Sequence, residues 1–244
     1  MNAVTAPVLR LHGYAVSNYF NIAHAALLES GAAFEIVECR ASQTPEFLQI
    51  SPMGKIPVLE TPDGWIAETV AILSYIEACF AHPRLTSAFE RARQLQLINV
   101  VQLYVELPMR SLYPGVFMGC RNSEEAIAAA RQTLDRSTAA LRQLAQPQPY
   151  LAGEEAGHVD LFTFYCLDLA ERVSRHVYQR SLLHELGLSE WAKRMARRAS
   201  SQRVLGAFAE VFGSYLAEKQ AAYSFPAEDL YADVASAQGR SIRG

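Results

Sequence analysis

The chain has 244 residues and a formal net charge of −3, with half of its residues apolar and 19% charged. This balance suits a real core in one large domain or two small ones. It argues against a nucleic-acid partner, which calls for a basic surplus, and against a membrane span, because charges or helix breakers interrupt every apolar run. The first residues, MNAVTAPVLRLHGY, lack a basic stretch followed by a long apolar core, so no secretory signal is expected. Cys39, Cys79, Cys120 and Cys166 have neither metal-ligand nor redox-motif spacing. A reduced, cytoplasmic protein is expected.

In chain order, Val8 to Leu11 is β-favouring apart from Arg10 and ends at Gly13. Asn18 to Ser30 is helical in pattern, with Ile22, Ala25, Ala26 and Leu28 on an apolar face and Gly31 as its stop. Phe34 to Cys39 reads as a strand and Pro45 to Ile50 as a short helix. Ile56 to Leu59 is a short apolar strand with Pro57 near its start, where a cis Ile56-Pro57 bond is predicted. Such a bond turns the preceding N–H and C=O toward a peptide-like ligand. Thr61-Pro62-Asp63-Gly64 is a tight turn, and Trp65 to Ala67 is a strand running into a helix from Glu68-Thr69 to about Phe80. The free N–H groups at that helix start suit a ligand carboxylate. The order is that of a small mixed sheet with helices on its faces.

From residue 81 the chain changes character. Ala81 to Ser87 reads as a linker. Helices are expected over Ala88 to Leu107, Ser123 to Leu144, Val159 to Val173, and Ser189 to Leu216 with a break near Ser200. Pro108 and Pro114 should kink or end the first. The organisation is thus an α/β domain over 1–81, an all-helical domain over 88–223, and a tail over 224–244 expected to be poorly ordered. No two histidines stand at metal spacing, and the Lys193, Arg194, Arg197, Arg198, Arg203 cluster reads as one helix's solvated face.

Ser51 to Leu59, SPMGKIPVL, followed by Glu68-Thr69, resembles the N-terminal domain of the glutathione transferases, and the likeness runs over roughly residues 8 to 218. The resemblance implies a thioredoxin-like first half, an all-helical second half, and membership of the bacterial-type, serine-using members. It implies that Ser17, six residues past Leu11, stabilises the glutathione thiolate from a helix N-terminus. The alternative reading of Ser17 is a plain N-cap. His12 stands where the family has tyrosine and Asn18 where it often has proline, which keeps Tyr14 and Tyr19 as rival donors to the sulfur. No cysteine occupies this turn, so dithiol redox chemistry is not expected.

By the same resemblance, Ile56, ahead of Pro57, pairs its backbone with the cysteinyl part of glutathione. Glu68 meets the γ-glutamyl ammonium, Thr69 its carboxylate, and Lys55 the glycyl carboxylate. Gln43 is a further binding candidate, and Asn99 or Gln102 would reach across a dimer. The second-substrate pocket would hold Tyr14, Tyr104, Pro108, Arg110 and Tyr113, with Arg110 suited to an anionic substrate. Asp160, with Gly157 as cap, would be structural. Glutathione is then a co-substrate, the partner is an electrophilic small molecule, no metal or other cofactor is implied, and the protein is a cytoplasmic, detoxifying homodimer. The alternatives are a glutathione-dependent isomerase, dehalogenase or peroxidase, or a non-catalytic module of the same fold.

Overall fold

The computed structural model describes residues 9–80 and 87–223. The linker and tail expected around residue 83 and beyond residue 223 lie outside the described residues. The first half runs β1 (Leu9–Gly13), α1 (Asn18–Ser30), β2 (Phe34–Glu38), α2 (Pro45–Ile50), β3 (Val58–Thr61), β4 (Gly64–Ala67) and α3 (Thr69–Phe80). The sheet order is β2-β1-β3-β4. β1 lies parallel to β2 and antiparallel to β3, and β3 is antiparallel to β4. This is the thioredoxin-like α/β half.

The register explains the two faces. Leu11 stands beside Leu59, and Leu59 beside Ile66, on the face that α1 and α3 cover. Arg10 stands between Glu35 and Glu60 on the opposite face, in ion pairs of 3.3 and 3.4 Å. Period-two alternation in LRLHG thus becomes one apolar and one charged face.

The second half is helical. α4 (Ala88–Val101) begins at a capping box: the Ser87 hydroxyl accepts from Glu90 N, and the Glu90 carboxylate accepts from Ser87 N. It continues as a π-helical segment, Gln102–Glu106, into α5 (Leu107–Arg110), α6 (Tyr113–Phe117), α7 (Glu124–Leu144), α8 (His158–Tyr178), α9 (Leu182–Glu185), α10 (Ser189–Ala196) and α11 (Ala199–Glu218).

The structure refines three expectations. Pro108, expected to kink or end the first helix, does not end it. It has no N–H to give, and the ladder widens just before it, with Leu107 N bonded to Gln102 O. The break expected near Ser200 in the last long helix falls at Arg197-Arg198, because Arg198 adopts extended backbone (φ −66°, ψ 142°) ahead of α11. β3 starts at Val58 rather than Ile56, leaving Ile56-Pro57 outside the ladder.

One core joins both halves. α1 packs against α3 on one side and against α8 and α11 on the other. Phe20, Ile22, Ala23, Ala25, Ala26 and Leu27 are therefore all buried, although they lie around the whole helix. α8 is the central helix of the second half, buried without interruption from Val159 to Ser174. Its start is held by Asp160, whose carboxylate accepts from the backbone N–H groups of Leu151, Ala152 and Gly157 and from Trp191 Nε1 at 2.7–3.0 Å. Burial pushes the Asp160 carboxyl up, and these four donors act against that rise.

Candidate active site

The turn between β1 and α1 is closed by Ser17. Its N–H donates to Tyr14 O at 3.1 Å, its C=O accepts from Asn21 N at 2.9 Å, and its Oγ accepts from Phe20 N at 3.3 Å. The serine is therefore an N-cap. Capping uses only a lone pair of the oxygen, and the hydroxyl proton has no acceptor among the described residues. Cap and donor are thus compatible roles for one side chain.

A second loop faces this turn. The Ser51 hydroxyl donates to Lys55 O at 2.7 Å and accepts from Lys55 N at 3.0 Å, pinning residues 51–55. Gly54 has φ +63°, and a Cβ there would lie 2.3 Å from Ser42 O, so only glycine fits. The Ile56-Pro57 bond is cis, as predicted. The backbone N–H and C=O of Ile56 have no hydrogen-bond partner among the described residues.

The third piece is the β4–α3 junction. Glu68 has φ +70°, unusual for a residue with a side chain, and its C=O accepts from Ile72 N at 3.0 Å. It is exposed, while Thr69, the first residue of α3, is buried. The N–H groups of the first turn of α3 open beside them.

These pieces share one cavity of about 480 Å³. Ser17, Lys55, Ile56, Pro57, Glu68 and Thr69 line its sheet side, and Tyr14, Gln102, Leu107, Arg110, Tyr113, Met118 and Tyr215 its other walls. Three expected residues are not among its lining. Gln43 is exposed and donates from Nε2 to Met53 O at 3.2 Å. Tyr104 is exposed, and Pro108 sits in the turn opening α5. Gln102, expected to reach a second subunit, lines the cavity of its own chain.

The rival phenols differ. Tyr19 is not free, because its hydroxyl donates to Glu106 Oε2 at 2.8 Å. Tyr14 lines the cavity with Arg40 over its ring, 5.2 Å from the centroid. Burial, reinforced by Tyr215, pushes its phenol up, so it stays a neutral donor. The Tyr113 phenol is likewise pushed up by burial.

Arg110 is also committed. Its guanidinium donates through Nε to Glu106 Oε1 at 2.7 Å and through Nη2 to Asn18 Oδ1 at 2.7 Å, and lies 5.0 Å from the ring centroids of both Tyr19 and Tyr113. The fully buried Glu106 carboxylate offsets its charge. The sequence alone gives Glu106 no role and marks Asn18 only as standing where the family often has proline. The available signal was an acidic and a basic residue four apart within an apolar helical stretch. Among the described residues, no cluster of His, Cys, Asp and Glu could hold a metal ion, and no helix is long and apolar enough to cross a membrane.

Comparison with known proteins agrees with this geometry. The profile of a family described as glutathione S-transferase, N-terminal domain, matches residues 11–84. A glutathione S-transferase of Pseudomonas putida is 40% identical over 172 residues, which is 70% of this chain and 78% of that protein. An elongation factor 1-gamma of Oryza sativa subsp. japonica is 37% identical over 126 residues, half of this chain but only 29% of that protein. Among solved structures, a tau class glutathione S-transferase from mango, Mangifera indica, superposes with a TM-score of 0.70 over 85% of this chain and 96% of its own, at 20% identity. That likeness shows the shared fold, and the Pseudomonas relative carries the kinship: the chain belongs to the glutathione S-transferase family.

Proposed function

We propose that the protein is a serine-using, bacterial-type glutathione transferase that joins the glutathione thiolate to an electrophilic small molecule. The observation that carries the reading is the convergence of Ser17, Ile56 with its unpaired backbone, and the Glu68-Thr69 helix start on one cavity. Ile56 pairs through its backbone with the cysteinyl unit. Glu68 takes the γ-glutamyl ammonium, Thr69 and the α3 N-terminus take its carboxylate, and Lys55 takes the glycyl carboxylate. The cysteinyl sulfur then lies by Ser17, whose free O–H donates to it at the positive end of α1.

A free thiol has a pKa of about 8.5, so a hydrogen bond to the anion raises the reactive fraction near neutral pH. The thiolate attacks the electrophilic carbon, a C–S bond forms, and the leaving group departs with its electron pair. Tyr14, Leu107, Tyr113, Met118 and Tyr215 give the second substrate an apolar, aromatic wall. The reading also places the protein in the cytoplasm, as a detoxifying homodimer. Exposed Met53, Phe89, Leu95 and Leu103 supply apolar surface for the second subunit.

The test is binding to immobilised glutathione together with turnover of a generic aryl halide. Binding and conjugation support the reading. Binding without conjugation turns attention to isomerase, dehalogenase and peroxidase substrates on the same cradle. The elongation factor 1-gamma relatives favour a second reading, a non-catalytic interaction module. Absence of both binding and turnover would select it.

A further inference from the structure

Asn18, Glu106 and Arg110 form a polar knot next to Ser17, joining residues 88 and 92 positions apart in the chain; Asn18 and Glu106 are buried, and the partly exposed Arg110 lines the cavity with Ser17. Asn18 Nδ2 donates to Glu106 Oε1 at 3.3 Å, and Asn18 Oδ1 accepts from Arg110 Nη2 at 2.7 Å. Tyr19 adds its hydroxyl to the other carboxylate oxygen of Glu106. Asn18 is 2% exposed and Glu106 fully buried, so each polar atom depends on the other members of the knot. We infer that Asn18, Glu106 and Arg110 are positioning residues, which tie the first turn of α1 to the helical half and so aim the Ser17 hydroxyl. The inference rests on the proposed thiolate role of Ser17.

The local backbone shows why a tie is needed. Ser17 leaves the strand in extended conformation (φ −80°, ψ 117°), and α1 starts at the next residue. Asn18 is the first helical position, where the backbone N–H has no intrahelical acceptor. Asparagine favours caps and turns over helix interiors, and by itself gives that position little helical bias. The side chain offsets this by gripping Glu106 at the end of the π-helical segment and Arg110 at the end of α5. The π-helical segment fits the same account. It ends at Glu106, and Arg110 follows one turn later, so the widened ladder immediately precedes the pair that meets α1. Arg110 thereby commits its charge to Glu106 and Asn18 rather than to the anionic second substrate that its apolar sequence context had suggested.

Three variants test this. Asn18→Ala removes both contacts, and with them the donation of Asn18 Nδ2 to Cys166 Sγ at 3.8 Å, and leaves Glu106 and Arg110 paired with each other. Asn18→Pro removes the same contacts but fixes the backbone at the first helical position, where proline's φ is pre-organised for the helix and the extended Ser17 tolerates a following proline. Tyr19→Phe removes one bond to Glu106 and leaves Asn18 in place. In the free protein, Asn18→Ala should speed amide exchange at Phe20 and Asn21 by about tenfold, and Asn18→Pro should bring it back to within about threefold of wild type. With glutathione bound, Asn18→Ala should raise the pKa of the bound thiol by roughly half a unit to one unit and lower kcat by about threefold to tenfold, with KM for glutathione held within about twofold.

Thiol pKa and kcat recovered in Asn18→Pro support positioning through the turn. A lowered Tm with unchanged thiol pKa and unchanged exchange at Phe20 and Asn21 in Asn18→Ala overturns it and leaves a purely structural knot. If the wild-type protein binds no glutathione, the proposed function fails, and the exchange experiment still decides whether the knot holds the turn.

Discussion

Single atoms decide what the residues in the cleft can do. Ser17 has one hydroxyl oxygen in a cap bond and one proton free. Ser17→Ala is expected to lower the thiolate-dependent rate by about tenfold to a hundredfold, since a hydrogen bond to a charged group is worth about 1.5–3 kcal/mol. Glutathione affinity should change little, and spectroscopic titration of the bound thiol should show a raised pKa. An unchanged pKa would make Ser17 a cap alone and hand the donor role to Tyr14, since Tyr19 is engaged by Glu106. Glu68→Ala should instead raise KM for glutathione with kcat nearly kept, because it removes a contact remote from the sulfur. Gly54→Ala is expected to cost at least about 2 kcal/mol, because a left-handed φ and a backbone clash with Ser42 O act together. Chemical denaturation would measure that loss, and a wild-type midpoint would contradict it.

At the scale of elements, the termini of helices carry the arrangement. α1, α4 and α7 all begin at serines whose hydroxyls accept a backbone N–H from the first turn. α8 begins at a glycine without a side chain and relies on Asp160 instead, which also gathers the 151–152 loop and Trp191 of α10. Asp160→Ala would leave four N–H donors unmatched, the buried Trp191 Nε1 and three part-buried backbone groups. A loss of about 3–5 kcal/mol is expected, seen as a Tm lower by roughly 10 °C in a chain of this size. Activity at low temperature should survive, because α8 reaches the cleft only through Leu169. A Tm within about 2 °C of wild type would show that water satisfies those donors.

Across the whole molecule, α1 is the element shared by the two halves, and His24 lies on it between Phe20 and Phe34. Neither ring nitrogen has a hydrogen-bond partner among the described residues. Burial, aided by Arg203, lowers its pKa to about 4. The folded state therefore holds the ring neutral, while the unfolded chain takes up a proton near pH 6.5. This contribution is fully present above about pH 6.5 and is lost as pH falls through about 4, with a total on the order of 3 kcal/mol. Thermal unfolding between pH 7 and 4 should show the loss, and His24→Met should flatten that limb. Because the core is continuous from β1 through α1 to α8, both halves should melt together as pH falls. An acid limb that His24→Met leaves unchanged would assign the pH dependence to other groups.

Sequence by itself determined the parts of this protein whose signals act over a few residues. The bounds of α1, with Ser17 before it and Gly31 at φ +69° after it, follow from local cap chemistry. The same holds for Pro45 opening α2, the Thr61–Gly64 turn, the helix start at Glu68-Thr69 and the Ile56-Pro57 bond, and these short pieces contain most of the proposed cradle. Tertiary structure alone decided the sheet order, the π-helical segment ahead of Pro108, and the part of the far wall formed by Leu107, Met118 and Tyr215. Tyr215 reaches a cavity opened by Tyr14, and Glu106 meets Asn18 across 88 positions. Such pairings are set by how α1 packs on α8 and α11, and no spacing rule within one helix or strand encodes them. Arg110 shows the difference most plainly. Its place in an apolar helix suggested an anion site, and only the approach of α1 supplied the Asn18 oxygen that engages it.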